Sequence, residues 1–463
     1  MWRWASTTPT RTHSQMPLPF LTALDPQARV AGSRDPLGVQ PIWGHLGREL
    51  VSNLTTVATS VRGFTTLMLG LHYASRLVDE AGHDEAQRIR YFLKFEQMVA
   101  WSRYAWQDET GDTVEGIRGI RRVRRTWEGG ERKPPLGLGP DAQILSDQKT
   151  YGLWGLFSMP ARDSRLRERV SARLTEPARE HLLPRLDAAL SAEGIRNDAV
   201  VIDLLGRDQH FEPTGRHKAL GRALAAMTKP AWSGEEEVFY LDHLVQAGRG
   251  ADGRQARLWG HLATVNDRDG TWKAGFGMEE LRRVRTAAGA AGDTDIVERL
   301  TWIADVEAVL APAGLLFSTV LGAHGQRVAD VAAEVEARWG AGLGHVDVDG
   351  VRAAIPQVAA IAADGTAERL DALSVAFRDG AWAEAITLVI AQNKAVMEAR
   401  RAGPWATEKA GTLDVRFRTD GDGLAVAADL PDLWVNPYYL SALKHVGGSL
   451  LRRGVRETSV DGE

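Results

Sequence analysis

Residues 143–183 read QILSDQKTYGLWGLFSMPARDSRLRERVSARLTEPAREHLL, and this stretch decides how the chain is interpreted. Ser146 is a candidate N-cap for a short helix, and Pro160 predicts the end of that helix. An arginine-dense segment follows, and Thr175 then caps a second helix that has Pro177 in its first turn. Helix, basic segment and helix in this order predict a winged-helix-like or helix-turn-helix module, whose usual partner is nucleic acid.

The first helix of this predicted module has an aromatic face. Tyr151, Trp154 and Phe157 are spaced three residues apart, so they lie on the same side of a helix. Aromatic side chains of this size are usually buried when they share a face. We therefore expect Trp154 to be substantially buried.

The basic segment of the module holds five arginines against Asp163 and Glu168, a local net charge of +3. The arginines are Arg162, Arg165, Arg167, Arg169 and Arg173. A recognition helix needs cations for phosphates and side chains that reach base edges, and arginine serves both purposes. We expect Arg162, Arg165 and Arg169 to contact a DNA groove. The alternative is a solvated arginine face on an ordinary helical hairpin.

A second basic element lies at residues 116–133. Four arginines in it recur at i, i+3, i+4 and i+7, which places them on one face of a helix. These stripe arginines are Arg118, Arg121, Arg122 and Arg125. An apolar seam, formed by Ile117, Ile120 and Val123, faces elsewhere. The element has a net charge of +5, the strongest concentration in the chain, and we expect the stripe to hold DNA phosphates, with an acidic protein or solvent as alternatives.

Composition limits the classes of protein that the chain can belong to. It has 463 residues and no cysteine, which excludes disulfides, cysteine-ligated metals and thiol nucleophiles. A net charge of −4 argues against indiscriminate coating of nucleic acid, although a local basic face is compatible with it. The apolar stretch Trp302–Leu321 contains Asp305, Glu307 and Pro312, so we expect a buried helical hairpin and no membrane contact. The missing cysteines and the lack of a signal-type segment favour the cytoplasm.

Shifts in composition divide the chain into six segments. They are a flexible leader (1–35), a helical domain with the basic helix (36–140), the winged-helix-like module (141–192), a mixed α/β region (193–290), a second helical domain (291–410) and a hairpin plus helix (411–463). Ala199–Ile202 predicts a short strand in the mixed region. Asp420–Gly423 predicts a turn between strands near Leu413 and Leu424. Asn436-Pro437 predicts the start of a helix that ends at Gly447-Gly448.

Catalytic signatures are absent from the sequence. Gly275-Phe276-Gly277 is a lone GxG and does not predict phosphate binding. The densest group of potential metal ligands comprises Asp203, Asp208, His210 and His217. Their spacing matches no known ligand pattern. We therefore predict no metal and no cofactor, and no catalytic residue is assigned.

Four stretches of the sequence resemble large uncharacterised bacterial proteins associated with anti-phage defence and mobile-element gene neighbourhoods. They are DPLGVQPIWGHLGRELVSNLTTVATSVRGFTTLMLG (35–70), FLKFEQMVAWSRYA (92–105), GIRGIRRVRR (116–125) and LSDQKTYGLWGLFSMPARDS (145–164). A weaker similarity covers the GPW…NPYYL region at residues 403–440. The resemblance implies a setting, with other proteins of the same gene cluster as partners. It supplies no active site.

The sequence therefore predicts a mainly α, multi-domain protein with an internal winged-helix-like module and a small C-terminal α+β element. The leading interpretation is a cytoplasmic DNA-binding accessory or scaffold component of a bacterial anti-phage defence system. One alternative is a protein-interaction adaptor that makes no nucleic-acid contact. The other is a nuclease whose active site the sequence does not reveal.

Overall fold

The computed structural model describes residues 35–82, 84–112, 117–247, 253–362, 365–418, 424 and 427–451. Within these ranges the protein is mainly helical, with one small antiparallel sheet near the C-terminus. The mainly α class predicted from the sequence is thereby confirmed. Apart from Asp35, the predicted leader lies outside the described residues, and so does the predicted turn at Asp420–Gly423.

The first half of the chain is built from ten helices within the described residues. They are α1 Val39–Arg48, α2 Arg62–Ala81, α3 Glu85–Thr110, α4 Ile120–Glu128, α5 Gln148–Tyr151, α6 Leu153–Asp163, α7 Glu176–Ala192, α8 Ala199–Gly206, α9 Lys218–Thr228 and α10 Gly234–Tyr240. A π-helical segment, Leu241–Gln246, continues α10. The side chain of Gln255 donates to the Leu244 and Val245 carbonyls of this segment, which supplies partners that the wider helical turn leaves open.

The second half adds eight described helices and the sheet. The helices are α11 Arg254–Asp269, α12 Met278–Ala290, α13 Thr294–Gly322, α14 Val328–Trp339, α15 Val348–Ala359, α16 Thr366–Asp379, α17 Trp382–Ala399 and α18 Leu440–Leu450. The strands are β1 Ala406–Lys409 and β2 Thr412–Val415, and a 3-10 helix follows at Ala427–Asp432.

Helix α3 lies at the centre of the N-terminal half. Phe92, Phe95 and Met98, which the helical spacing places on one face, are all buried. α3 packs against α2, α4 and α9, and burial of each such side chain stabilises the fold by about 1.5–3 kcal/mol. Buried apolar side chains from Leu37 to Leu450 join in one cluster, so the core runs without a break across the predicted segment boundaries.

Helix α13 is one helix of 29 residues, and the hairpin predicted around Pro312 is wrong. A proline inside a helix costs about 3 kcal/mol because it removes a hydrogen bond and crowds the preceding turn. Leu310 and Leu316, on either side of Pro312, are buried, and this burial offsets the cost. Among the described residues, α13 is the one helix long and apolar enough to cross a membrane, and 61% of its most apolar 18-residue window is buried inside the protein.

The strand predicted at Ala199–Ile202 is instead the start of helix α8. A short apolar run fits a buried strand and a buried helix equally well. Val201, Leu204 and Leu205 are buried at helical spacing, on the side that meets α2 and α3. The packing surface offered by these two helices therefore decides the conformation.

The C-terminal hairpin lies one strand earlier than predicted. The strand expected at Leu413 is present as β2, but its partner is β1, with Ala406 opposite Val415. Ala410 and Gly411 form the turn with φ of 50° and 77°, the left-handed values that a tight hairpin requires. The predicted second strand does not include Leu424 or Ala427, because Leu424 is irregular and a 3-10 helix begins at Ala427; residues 425 and 426 lie outside the described ranges.

The last helix, α18, begins at Leu440 and continues through Gly447 and Gly448, where the sequence predicts its end. Both glycines meet tryptophans of the neighbouring α11 region. A Cβ atom on Gly447 would lie 2.2 Å from the ring of Trp259, and one on Gly448 would lie 2.7 Å from that of Trp272. The glycines therefore allow close packing and do not end the helix.

Candidate nucleic-acid interface

The predicted winged-helix-like module contains three helices, the short α5 and then α6 and α7, and a loop joins α6 to α7. α6 continues through Pro160 instead of ending before it. Trp154 is half-buried with its ring centroid 5.3 Å from that of Phe92, and Phe157 is buried 5.0 Å from Phe64. α6 packs on α2 and α3, whereas α7 packs on α9, so both belong to the bundle around α3. The finer prediction of a winged-helix module is not confirmed.

The arginine-dense segment forms the last turn of α6 and a loop, residues 165–174, termed here the arginine loop. No helix carries the arginines of this loop, so the recognition helix expected there is not formed. α6 ends in a Schellman turn, in which Leu166 N–H donates to the Ala161 carbonyl (2.8 Å) and Arg165 N–H donates to the Arg162 carbonyl (3.0 Å). Arg165 occupies the left-handed position of this turn, with φ 58°, where glycine is usual.

The arginine loop doubles back on itself. Arg167 pairs with Leu174 in an antiparallel bridge. The guanidinium of Arg167 donates to the carbonyl of Ser158 (3.1 Å) and to that of Ser171 (3.0 Å), which fastens the loop to α6 and closes it. Leu166 and Leu174 are buried beneath it. These contacts give the loop one defined conformation.

The three arginines predicted to contact a groove are not equivalent. Arg162 is half-buried and forms an ion pair with Asp163 (3.1 Å). Arg165 and Arg169 are exposed, and neither side chain has a hydrogen-bond or ion-pair partner in the described part of the chain. Of the predicted set, these two keep a free guanidinium for a ligand.

Helix α4 presents the second basic element. Val123 and Trp127 are buried, and Ile117 and Ile120 are half-buried against the core, which confirms the position of the predicted apolar seam. The indole Nε1 of Trp127 donates to Asp108 of α3 (3.0 Å). The helix is therefore fixed to α3 by its apolar face, and its opposite face points to solvent.

The predicted stripe arginines fall into an anchored pair and an exposed pair, and one of them, Arg118, lies in the turn before α4 and not on the helix. Arg118 and Arg122 donate to the backbone carbonyls of Tyr151 (3.2 Å) and Pro140 (2.5 Å). The exposed arginines of this helix are Arg121, Arg124 and Arg125, termed here the α4 arginines. No described carboxylate lies within ion-pair distance of them. Only two of the four predicted stripe arginines are therefore exposed to a ligand. Arg124, which was not part of the predicted stripe, is also exposed.

The buried carboxyl group of Glu96, which lies near Arg118, was not predicted from the sequence. Glu96 of α3 is buried, and its carboxyl group accepts hydrogen bonds from Nε2 of Gln148 (2.8 Å) and from N–H of Leu153, the first residue of α6 (2.7 Å). A Cβ atom on Gly152 would lie 2.8 Å from this carboxyl group. Burial raises the pKa of Glu96 to about 7, against the opposing effects of both hydrogen bonds and of Arg118. The sequence feature that could have indicated this buried group is the single acidic residue within the mainly apolar stretch FLKFEQMVAW.

The two basic elements lie towards opposite ends of α3. Arg167 of the arginine loop interacts electrostatically with Glu85 and Arg88, near the start of α3. Trp127 of α4 packs against Tyr104, near its end, with ring centroids 5.9 Å apart. Arg88 and Tyr104 are separated by about 24 Å along the helix axis, at 1.5 Å per residue. The elements are thus separate patches.

The side chains of Asp203, Asp208, His210 and His217 do not converge on a common point. Asp208 pairs with two cations of α3, at 2.6 and 2.9 Å. Nδ1 of His217 accepts a hydrogen bond from the backbone N–H of Glu212 (2.9 Å). His210 pairs through its backbone with the segment that follows α4. In the ranges that the structure describes, no three His, Asp or Glu side chains are placed to hold a metal ion.

Comparison with models of known protein families, with curated proteins and with solved structures gives no match for this chain.

Proposed function

We propose that this protein binds DNA through the α4 arginines, as a non-catalytic accessory or scaffold component of a bacterial anti-phage defence system. The observation that supports DNA binding is the arrangement of these cations. Arg121, Arg124 and Arg125 are exposed on one short helix, and no described carboxylate lies within ion-pair distance of their guanidinium groups. The Arg124 side chain hydrogen-bonds to the Tyr104 hydroxyl. Helix α4 is held rigidly, because Trp127 is buried beneath it.

Many exposed arginines elsewhere in the chain are neutralised by a neighbouring carboxylate. Examples are Arg327 with Asp330 (2.7 Å), Arg352 with Asp371 (2.8 Å) and Arg378 with Asp379 (2.8 Å). Such pairs contribute little to stability, about 0–1 kcal/mol, but they cancel the field of the cation. The α4 arginines form no such ion pair with a described carboxylate, so their positive field attracts a polyanion.

The spacing of the α4 arginines suits a phosphate backbone. Residues at i, i+3 and i+4 are neighbours on a helix surface, so the three guanidinium groups emerge within about one turn. Duplex DNA carries one negative charge per about 1.7 Å of its axis, which brings several phosphates within reach of such a cluster. The net charge of the whole chain is −4, so binding is confined to local basic patches.

The proposed setting comes from the resemblance of residues 35–185 to bacterial proteins of defence-related gene neighbourhoods. In that setting the protein acts in the cytoplasm with other products of the same gene cluster, and those partners supply any chemistry. The dispersed positions of Asp203, Asp208, His210 and His217 give the nuclease alternative no support.

A matched pair of triple variants tests the proposal. The first carries Arg121→Gln, Arg124→Gln and Arg125→Gln. The control carries Arg327→Gln, Arg352→Gln and Arg378→Gln, which changes the net charge equally but removes neutralised arginines. Fluorescence anisotropy with a labelled duplex at low salt should show at least a tenfold weaker affinity for the first variant and little change for the control. Wild-type protein that binds no duplex would contradict the proposal and favour the protein-interaction adaptor.

A further inference from the structure

The arginine loop exposes an apolar residue directly after Arg169, one of its two cations without a side-chain partner among the described residues. Val170, at its tip, is fully exposed, with a relative accessibility of 102%. Arg165 and Arg169 are exposed and have no side-chain partner among the described residues. The Val170 side chain is not buried by the fold of this chain, so it is available to contact a ligand together with the arginines beside it.

The remaining charged groups of the loop are engaged in holding it. Arg173 pairs with Asp79 of α2 (2.8 Å). The side chain of Glu168 bonds to Ser171 (2.5 Å), and the Glu168 N–H donates to the Arg173 carbonyl (2.9 Å). The loop is therefore a preorganised projection, and a ligand does not have to order it on binding.

Arg165 occupies a backbone conformation in which any side chain destabilises the folded state. It is the left-handed residue of the Schellman turn, at φ 58°, and a non-glycine residue costs about 1 kcal/mol in that conformation. Its side chain forms no hydrogen bond or ion pair with the described residues that would compensate for this cost. Glycine would satisfy the turn better, so the stability of the fold does not account for an arginine here.

We propose that the arginine loop enters the minor groove of duplex DNA, with Arg165 and Arg169 along the groove and Val170 at its floor. This inference rests on the proposed DNA-binding function and adds a second, groove-reading contact to it. Minor-groove binders combine arginines with an apolar wedge, and a narrow minor groove concentrates the negative potential that attracts arginine. The loop carries no helix that would fill a major groove.

The test compares the affinities of the full-length protein for two duplexes of equal length, an A-tract with a narrow minor groove and a G·C-rich control. Wild-type protein should prefer the A-tract. In the Arg165→Gln/Arg169→Gln variant, the ratio of A-tract affinity to G·C-rich affinity should fall about tenfold, which is the size of the contribution of one groove contact. The Arg121→Gln/Arg124→Gln/Arg125→Gln variant should weaken binding to both duplexes equally and keep the preference. Equal affinities of the wild type for the two duplexes, or an unchanged preference in the folded loop variant, would overturn the inference and leave the role of α4 standing.

Arg165→Gly separates a binding role from a structural one. Glycine removes the strain of the left-handed turn, so the melting temperature should rise or stay unchanged. The A-tract preference should nevertheless fall, because the guanidinium is gone. A lower melting temperature with the preference retained would show that Arg165 serves the fold. If the wild-type protein binds neither duplex, the proposed function itself fails, which is distinguishable from failure of the loop alone.

Discussion

Glu96 of α3 and Arg118, two residues before α4, line the same small cavity, of about 10 Å³, where these elements meet α6. Glu96 also bonds to N–H of Leu153, at the start of α6. One buried carboxyl group thus connects the central helix to the elements that present both basic patches. Replacing Arg118 should therefore disturb the fold, whereas replacing an exposed α4 arginine should not.

The first prediction concerns the titration of Glu96. Its pKa is raised from 4.5 to about 7, so the folded state binds more protons than the unfolded chain between these values. The associated stability is complete below about pH 4.5 and is lost as the pH rises through 7. Glu96→Gln abolishes this titration. Urea unfolding should show that the stability advantage of the wild type over the variant is larger at pH 5 than at pH 8, by about 2 kcal/mol; an advantage that does not vary with pH would refute the assignment.

The second prediction concerns Asp305 in α13. Its Oδ2 atom is buried without a hydrogen-bond partner in the described ranges, and burial, with the neighbouring Asp347 as a second cause, raises its pKa to about 6. The folded state therefore favours the protonated acid, and stability falls as the pH rises through 6. Asp305→Asn should raise the melting temperature at pH 8 and have little effect at pH 4. The control Asp349→Asn, at a side chain that is 94% exposed, should show no such dependence.

The third prediction uses two glycines inside helices. Gly447→Ala would place a Cβ atom 2.2 Å from the ring of Trp259 and should destabilise the protein by about 1–3 kcal/mol through overpacking. Gly314→Ala, in α13, has nothing within 4 Å and should stabilise by about 0.5–1 kcal/mol. Chemical denaturation of both variants measures these effects. Destabilisation by both, or by neither, would be inconsistent with the packing described for α18.

The elements predicted correctly from the sequence are those whose buried face follows from a local repeat of apolar residues at helical spacing. Phe92, Phe95 and Met98 lie at helical spacing, and they are buried as that spacing predicts. The apolar seam beneath α4 follows from the same reasoning, whereas only Arg121 and Arg125 of the predicted stripe are exposed. A local pattern suffices here because the apolar face of a helix depends only on residues within a few turns of each other.

The incorrect predictions share a different physical origin. Pro312 and Gly447 are helix-breaking residues by local rules, and both lie inside helices because distant residues pack against them. For Gly447 that neighbour is Trp259, which no local pattern reveals. Likewise, the anchoring of Arg118 on Tyr151 depends on how α5 meets α3. The outward charge of α4 was predictable, but which of its arginines remain free was not.

The salt dependence of duplex binding tests the central claim most directly. Each phosphate contact contributes about 0.9 to the slope of log affinity against log salt concentration. The Arg121→Gln/Arg124→Gln/Arg125→Gln variant should therefore show a slope shallower by about 2.7 than the wild type, if all three residues hold phosphates. Its circular dichroism and melting temperature should match those of the wild type, because exposed substitutions usually change stability by less than about 0.5 kcal/mol each. A folded variant with an unchanged slope would remove α4 from the interface and contradict the account.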